Sequence, residues 1–145
     1  MNFRKIDEKI IRFLNKIWQP FSRLSLFIVF FYFGFLKVLG FSPASPLVES
    51  LLNKTLPFIS FDKFIILFGL FEMLIGLLFI IPKLERVVIF LLMIHMITTF
   101  LPLVLLPQLT WQKFLVPTLE GQYIIKNLVI ISLAIVIGAH LGKKE

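Results

Sequence analysis

Long apolar runs, separated by shorter segments rich in charge or proline, dominate the chain. The clearest is the 18-residue run from Phe64 to Ile81, which contains one ionisable residue, Glu72. As a helix with a rise of about 1.5 Å per residue it would span roughly 27 Å, close to the roughly 30 Å hydrocarbon core of a bilayer. The pattern predicts four transmembrane helices, over residues 22–40, 64–81, 87–106 and 122–141.

The N-terminal segment has a different pattern, with apolar residues recurring at steps of three and four. These positions are Phe3, Ile6, Ile10, Phe13, Leu14 and Ile17. Because charged residues, most of them basic, fill the other side and Trp18 stands at the end, the pattern predicts an amphipathic interfacial helix over residues 3–19. A helix packed on a soluble partner is the alternative. We expect Pro20 to separate this helix from the first span.

Two proline-containing outer loops, residues 41–63 and 107–121, connect the spans. Residues 48–56 of the first loop are predicted to form a short helix on the membrane surface. The second and third spans are joined by the short segment IPKLER, so we expect them to be antiparallel neighbours.

The composition agrees with a membrane protein. The 145 residues are 59% hydrophobic and 16% charged, whereas soluble domains are about one quarter charged. We therefore predict an all-α, polytopic membrane protein with a single domain over residues 1–145, and we expect no cleaved signal. In such a protein a net charge of +7 reflects the orientation of the spans in the membrane and attraction to anionic lipid. It does not indicate a nucleic-acid partner. The chain has no cysteine, which excludes thiolate ligands from its own residues.

The basic residues are distributed unequally about the predicted spans. Ten of the 15 lie on the side of the two termini, three lie on the other side, and two lie within spans. The positive-inside rule then predicts that both termini are cytoplasmic, and we expect the membrane to be a bacterial inner membrane.

Polar residues within the spans are the candidate functional residues, because an ionisable group in the hydrocarbon region is costly unless it is paired or faces a cavity. Glu72 and His95 are predicted near mid-membrane, with two lysines towards the outer side. Small residues flank Glu72 at helical spacing, Gly69 and Gly76, which is typical of a packed helix face. We predict a polar ligand pocket in the outer half of the bundle, lined by Lys37, Glu72, His95, Lys126, Tyr123, Asn127 and Glu120.

Less specific interpretations remain open for the same residues. Lys37 could extend to the headgroups, and His95 could be a neutral group hydrogen-bonded to a neighbouring helix. The whole set could be a neutralised ion network that only fixes the helix register. No metal site is predicted, and no catalytic residue can be named.

Four segments resemble the DoxX-like family of small four-helix integral membrane proteins: FGFLKVLGFSPASPLV, FEMLIG, HMITTFLPL and PTLEGQYIIKNLVIIS. The resemblance extends from about Arg23 to Ala139. It implies a compact four-helix bundle. Some relatives are small subunits of a thiosulfate:quinone oxidoreductase, which makes a quinone the expected cofactor and a redox protein an expected partner. Most of the wider family has no assigned activity.

Three functions follow from these observations. The first is a quinone-linked membrane subunit of an oxidoreductase, not catalytic alone, in which His95 and a lysine donate hydrogen bonds and Glu72 relays protons. The second is a non-enzymatic scaffold or assembly protein. The third is a small-solute or proton-coupled transport protein, for which a homo-oligomer is expected because four spans is small for a transporter.

Overall fold

The computed structural model describes residues 3–141, and in this part of the chain it confirms the predicted all-α membrane bundle. Four helices are long and apolar enough to cross a membrane: α1, α3, α4 and α6. The elements in chain order are α1 (Phe3–Val38), α2 (Ser45–Thr55), α3 (Phe61–Ile80), α4 (Glu85–Leu105), α5 (Pro107–Thr110), β1 (Trp111–Lys113), β2 (Val116–Pro117) and α6 (Leu119–Ala139). We call the end of the bundle that holds residues 81–84 the inner end, and the end that holds α2 the outer end.

Helix α1 differs from the prediction, because it runs without interruption through Pro20 for 36 residues. The interfacial helix and the first span are therefore one helix. Proline removes one backbone donor, and membrane helices tolerate this loss. The helix ends instead at Val38, and Gly40 follows it with a φ of 76°, which suits a left-handed cap. There Phe41 N–H donates to Leu36 O at 2.9 Å and Gly40 N–H donates to Lys37 O at 3.1 Å.

The closest packing in the bundle is between α1 and α3. A Cβ atom on Gly34 would lie 2.5 Å from the carbonyl oxygen of Gly69, and a Cβ on Gly69 would lie 2.6 Å from that of Gly34. Gly76 lies equally close to α1, since a Cβ there would be 2.8 Å from the backbone nitrogen of Phe31. The predicted packed face of Gly69 and Gly76 is confirmed, and only glycine fits at these crossings.

All four long helices contribute to one apolar core. Helix α4 packs between α3 and α6, and α1 completes the bundle. The buried core residues are Leu26, Phe30, Ile75, Phe79, Val88, Leu92, Met96, Ala134 and Ile137.

Arg23 of α1 fastens the inner end of the bundle. Its Nε donates to the carbonyl oxygen of Phe79 at 2.6 Å and its Nη2 to that of Ile81 at 2.8 Å. Its Nη1 donates to Glu85 Oε1 at 2.6 Å, in the first turn of α4. The guanidinium thus donates to carbonyls that α3 leaves unpaired at its C-terminal end. It links α1, α3 and α4 at the short predicted turn.

The two outer loops are more ordered than the sequence predicts. The predicted short helix is present as α2, which begins at Ser45 because Pro46 suits a first helical turn. The second loop contains α5 and a small antiparallel hairpin, β1–β2. Trp111 Nε1 donates to Leu103 O at 3.0 Å, and Gly121 lies against the backbone carbonyl of Thr110. These contacts hold the hairpin against the outer ends of α4 and α6.

Candidate functional site

Glu72 lies at the centre of a buried polar cluster, to which α1, α3 and α4 each contribute one ionisable side chain. Its Oε2 accepts a hydrogen bond from Lys37 Nζ at 2.6 Å. Its Oε1 lies 2.9 Å from His95 Nε2. The three residues are only 5–6% exposed. We call Lys37, Glu72 and His95 the triad.

Lys37 reaches the triad by extending inward along α3. Its Cβ lies beside Gly69, and its ammonium reaches Glu72 three residues further towards the inner end. Helical side chains lean towards the N-terminus of their own helix, which for α1 is this direction. Nζ also lies 5.5 Å from the ring centroid of Phe68, close enough for a cation–π contact. The alternative that Lys37 extends to the outer headgroups is therefore wrong.

His95 is enclosed by aromatic rings. Phe68 stacks on the imidazole with centroids 5.2 Å apart and planes at 6°, and Phe30 meets it edge-on at 5.4 Å. Phe71 lies at 6.2 Å. The rings exclude water from the imidazole and strengthen its hydrogen bonds, because the local dielectric is low.

Thr99 completes a hydrogen-bonded chain behind His95. Its Oγ1 lies 3.2 Å from His95 Nδ1 and 3.0 Å from the carbonyl oxygen of the same residue. The single hydroxyl hydrogen can be donated to either acceptor. When the hydroxyl donates to the carbonyl, Oγ1 can accept a hydrogen bond from Nδ1–H. When the hydroxyl donates to Nδ1, the imidazole carries its hydrogen on Nε2 and donates it to Glu72. Rotation of one hydroxyl therefore accommodates His95 as imidazole or as imidazolium.

The structure does not bring all seven predicted residues together. The other four belong to α6, where Lys126 and Glu120 are exposed and Asn127 is half-buried. Lys126 Nζ lies 5.2 Å from the ring centroid of Tyr123, which is itself 61% exposed. The ammonium leans towards the outer end of α6, as a lysine extending to headgroups does.

These residues lie in the outer half of α6, where few side chains are buried, although Asn127 and Lys126 share helical faces with the buried Ala134 and Ile137 further along the helix. Its buried residues are Gly121, Ile124, Ala134 and Ile137.

The sequence contains a signal for two residues that the predicted set omits: Phe68 stands one helical turn before Glu72, and Thr99 one turn after His95.

An open apolar groove of about 440 Å³ runs between α4 and α6. Met93, Ile97, Phe100 and Val104 line one side, and Ile131 lines the other. By helical spacing these positions are on the side of α4 opposite His95. The groove is thus separate from the triad.

The triad has the chemistry of hydrogen bonding and proton exchange. Lys37 supplies a charged donor, His95 supplies a donor or acceptor, and Glu72 supplies the acceptor between them. Within residues 3–141, no three His, Cys, Asp or Glu side chains are grouped so that they could hold a metal ion.

No protein-family model matches the chain, and no curated protein or solved structure shows significant similarity to it. The resemblance to DoxX-like proteins therefore stays a prediction. The structure itself has four helices that are long and apolar enough to cross a membrane.

Proposed function

We propose that this integral membrane protein is a subunit of a quinone-linked redox system, in which the triad binds the quinone head group and exchanges protons with it. The observation that carries the proposal is the chain of hydrogen bonds from Lys37 through Glu72 and His95 to Thr99. A proton exchanged between this chain and the ligand would be accommodated by rotation of the Thr99 hydroxyl between its two acceptors, with no movement of the helices.

The surroundings of the triad favour a lipid-soluble ligand. The triad is enclosed by phenylalanine rings within apolar helices, so a ligand would approach it from the bilayer. A quinone head group is planar, carries two carbonyl acceptors, and takes up two protons with two electrons on reduction. For a head group to bind at the triad, its carbonyls would replace Glu72 as the acceptor for Lys37 or His95, because both donors are paired with Glu72 in the structure.

The electrons would come from a partner redox protein. The chain has no cysteine, so a conventional iron–sulfur cluster cannot be supplied by its own residues. The role of this subunit would be to bind the quinone and to deliver or accept protons beside it. The resemblance to DoxX-like proteins, some of which are subunits of a quinone oxidoreductase, agrees with this role.

Charge asymmetry supports an orientation with both termini in the cytoplasm of a bacterium. Ten basic residues lie on the side of the termini and three on the other. A reporter that functions only in the cytoplasm, fused after Glu145, should be active. A reporter that functions only outside the cytoplasm should be active when inserted after Phe114, at the exposed tip of the hairpin.

The test of the quinone is direct. The protein, purified in mild detergent, should carry a quinone that mass spectrometry detects in its lipid extract, and added short-chain ubiquinone should raise its Tm. His95→Gln should weaken both effects, whereas Lys126→Gln should not, because Lys126 lies outside the triad. A wild-type protein with no bound quinone and no change in Tm would refute the proposal.

A second candidate function is a membrane assembly protein in which the triad is purely structural. Within residues 3–141 every buried side-chain nitrogen and oxygen has a hydrogen-bond partner, and the triad joins three helices. For this function, partner binding should persist when Glu72, His95 and Lys126 are neutralised together and the protein still folds. Quinone binding that depends on His95 would exclude a purely structural triad.

A further inference from the structure

Residues 3–16 of α1 are exposed, whereas Trp18 packs against the core and its ring centroid lies 4.6 Å from that of His140. The full helix of 36 residues is about 54 Å long, roughly 24 Å more than the hydrocarbon core requires. We call residues 3–19 the arm. Its apolar residues are exposed, with Phe3 at 75%, Phe13 at 60% and Ile10 at 52% of full exposure.

The apolar stripe of the arm continues the lipid-facing side of the span. At 100° per residue the arm's apolar residues share one face with Phe21, Leu24, Ile28 and Phe35, all exposed on the outside of the bundle. The opposite face of α1 packs on the bundle through Leu26, Phe30 and Gly34. Lys5, Arg12 and Lys16 continue this second face.

The position of the apolar stripe around α1 determines which direction of bending would bury the apolar side chains of the arm in the bilayer. If the arm bends away from the bundle by about a right angle, its outward stripe turns to face the bilayer, and its basic face turns to water. A bend beneath the bundle would turn the stripe to water instead. Pro20 provides the hinge, because it has no N–H to donate to the carbonyl of Lys16.

The charge of the arm selects the surface that it meets. Residues 3–19 carry five basic residues and two acidic ones. A basic amphipathic helix binds membranes through its apolar face and through attraction of its cations to anionic headgroups. A second copy of the arm would carry the same positive charge, which opposes pairing of two arms.

We propose that the arm bends outward at Pro20 and lies on the membrane surface next to the inner end of the bundle, where it binds anionic phospholipid. The apolar stripe enters the acyl region and the basic residues contact phosphates. The arm would thereby fix the tilt of α1. This inference is independent of the quinone.

Site-specific labelling tests the proposal on the full chain in nanodiscs. Because the chain has no native cysteine, Phe13→Cys and Arg12→Cys each give one labelling position, on different faces of the arm about 100° apart. In nanodiscs with phosphatidylglycerol we expect a polarity-sensitive dye at position 13 to emit at shorter wavelength and to be shielded from a water-soluble quencher. The dye at position 12 should stay accessible to the quencher.

Lipid composition and charge provide the controls. The blue shift at position 13 should diminish in pure phosphatidylcholine and with Lys9→Glu/Arg12→Glu/Lys16→Glu, but it should persist with Lys54→Glu/Lys63→Glu at the outer end. Equal shielding in both lipids would overturn the role of anionic lipid. A dye at position 13 that is exposed to water in both, or shielded only when two arms associate, would overturn membrane docking.

Discussion

Glu72 and His95 lie 23 residues apart in sequence and share a hydrogen bond of 2.9 Å in the buried centre of the bundle. The midpoint between them falls in the turn of residues 81–84, so antiparallel packing of α3 and α4 brings them to the same depth. Lys37 completes the cluster from α1 at 2.6 Å. The stability of the bundle should therefore depend on this cluster as a unit.

Glu72→Ala should destabilise the protein strongly. It leaves the ammonium of Lys37 buried without its carboxylate, and breaking a buried ion pair costs about 3–5 kcal/mol. The free energy of unfolding in mixed micelles measures the loss. Glu49→Ala, at an exposed carboxylate on α2, should change it little. Equal effects of the two substitutions would contradict the pairing.

Replacing both members of the pair should be less harmful than replacing one. Lys37→Met with Glu72→Met removes both charges and keeps the side-chain volumes similar, so no uncompensated charge stays buried. We expect the double variant to be more stable than Glu72→Met alone, with a coupling free energy of about 1–3 kcal/mol. Strictly additive losses would show that the two residues do not interact.

Gly34→Ala should separate α1 from α3, because its Cβ would lie 2.5 Å from the carbonyl oxygen of Gly69. Overpacking of this kind costs about 1–3 kcal/mol. Gly138→Ala is the matched control, since its Cβ would meet only the flexible end of Ile89 at 3.3 Å. Thermal unfolding in detergent compares them. If the control lost as much stability as Gly34→Ala, close packing at Gly34 would not be the cause.

Arg23→Met should loosen the inner end of the bundle. The substitution removes donors to Phe79 O, Ile81 O and Glu85, and leaves a carboxylate that is 12% exposed without its cation. We expect a loss of about 1–3 kcal/mol in the free energy of unfolding. Arg4→Met breaks the Arg4–Glu8 pair, whose side chains are 89% and 54% exposed, and should have almost no effect.

Much of the fold could be predicted because each span is a long apolar run and the spans are joined by segments of distinct composition. Lys37, Glu72 and His95 could also be predicted as neighbours, since a short turn after α3 leaves little freedom in the depth of His95. Pro20 does not divide α1 into two helices, because a long membrane helix tolerates the loss of one backbone donor.

The exposure of the outer half of α6 could not be predicted. Its sequence is apolar on nearly every side, so periodicity does not identify the face that packs on α4. Depth alone placed Lys126 beside the other polar residues. Lys126 is exposed although Ile137, further along the same helical face, is buried, so neither depth nor helical face places the lysine beside Glu72.

The most direct test of the quinone proposal is the affinity of a short-chain ubiquinone for the protein in nanodiscs, compared between Thr99→Val and Thr98→Val. Thr99 contacts His95 Nδ1, whereas the Thr98 hydroxyl donates only to the carbonyl of His95 among the described contacts. The account predicts measurable binding by the wild type, a loss of roughly fivefold for Thr99→Val from one hydrogen bond, and little change for Thr98→Val. Absence of binding by the wild type, or equal affinity in all three proteins, would contradict it.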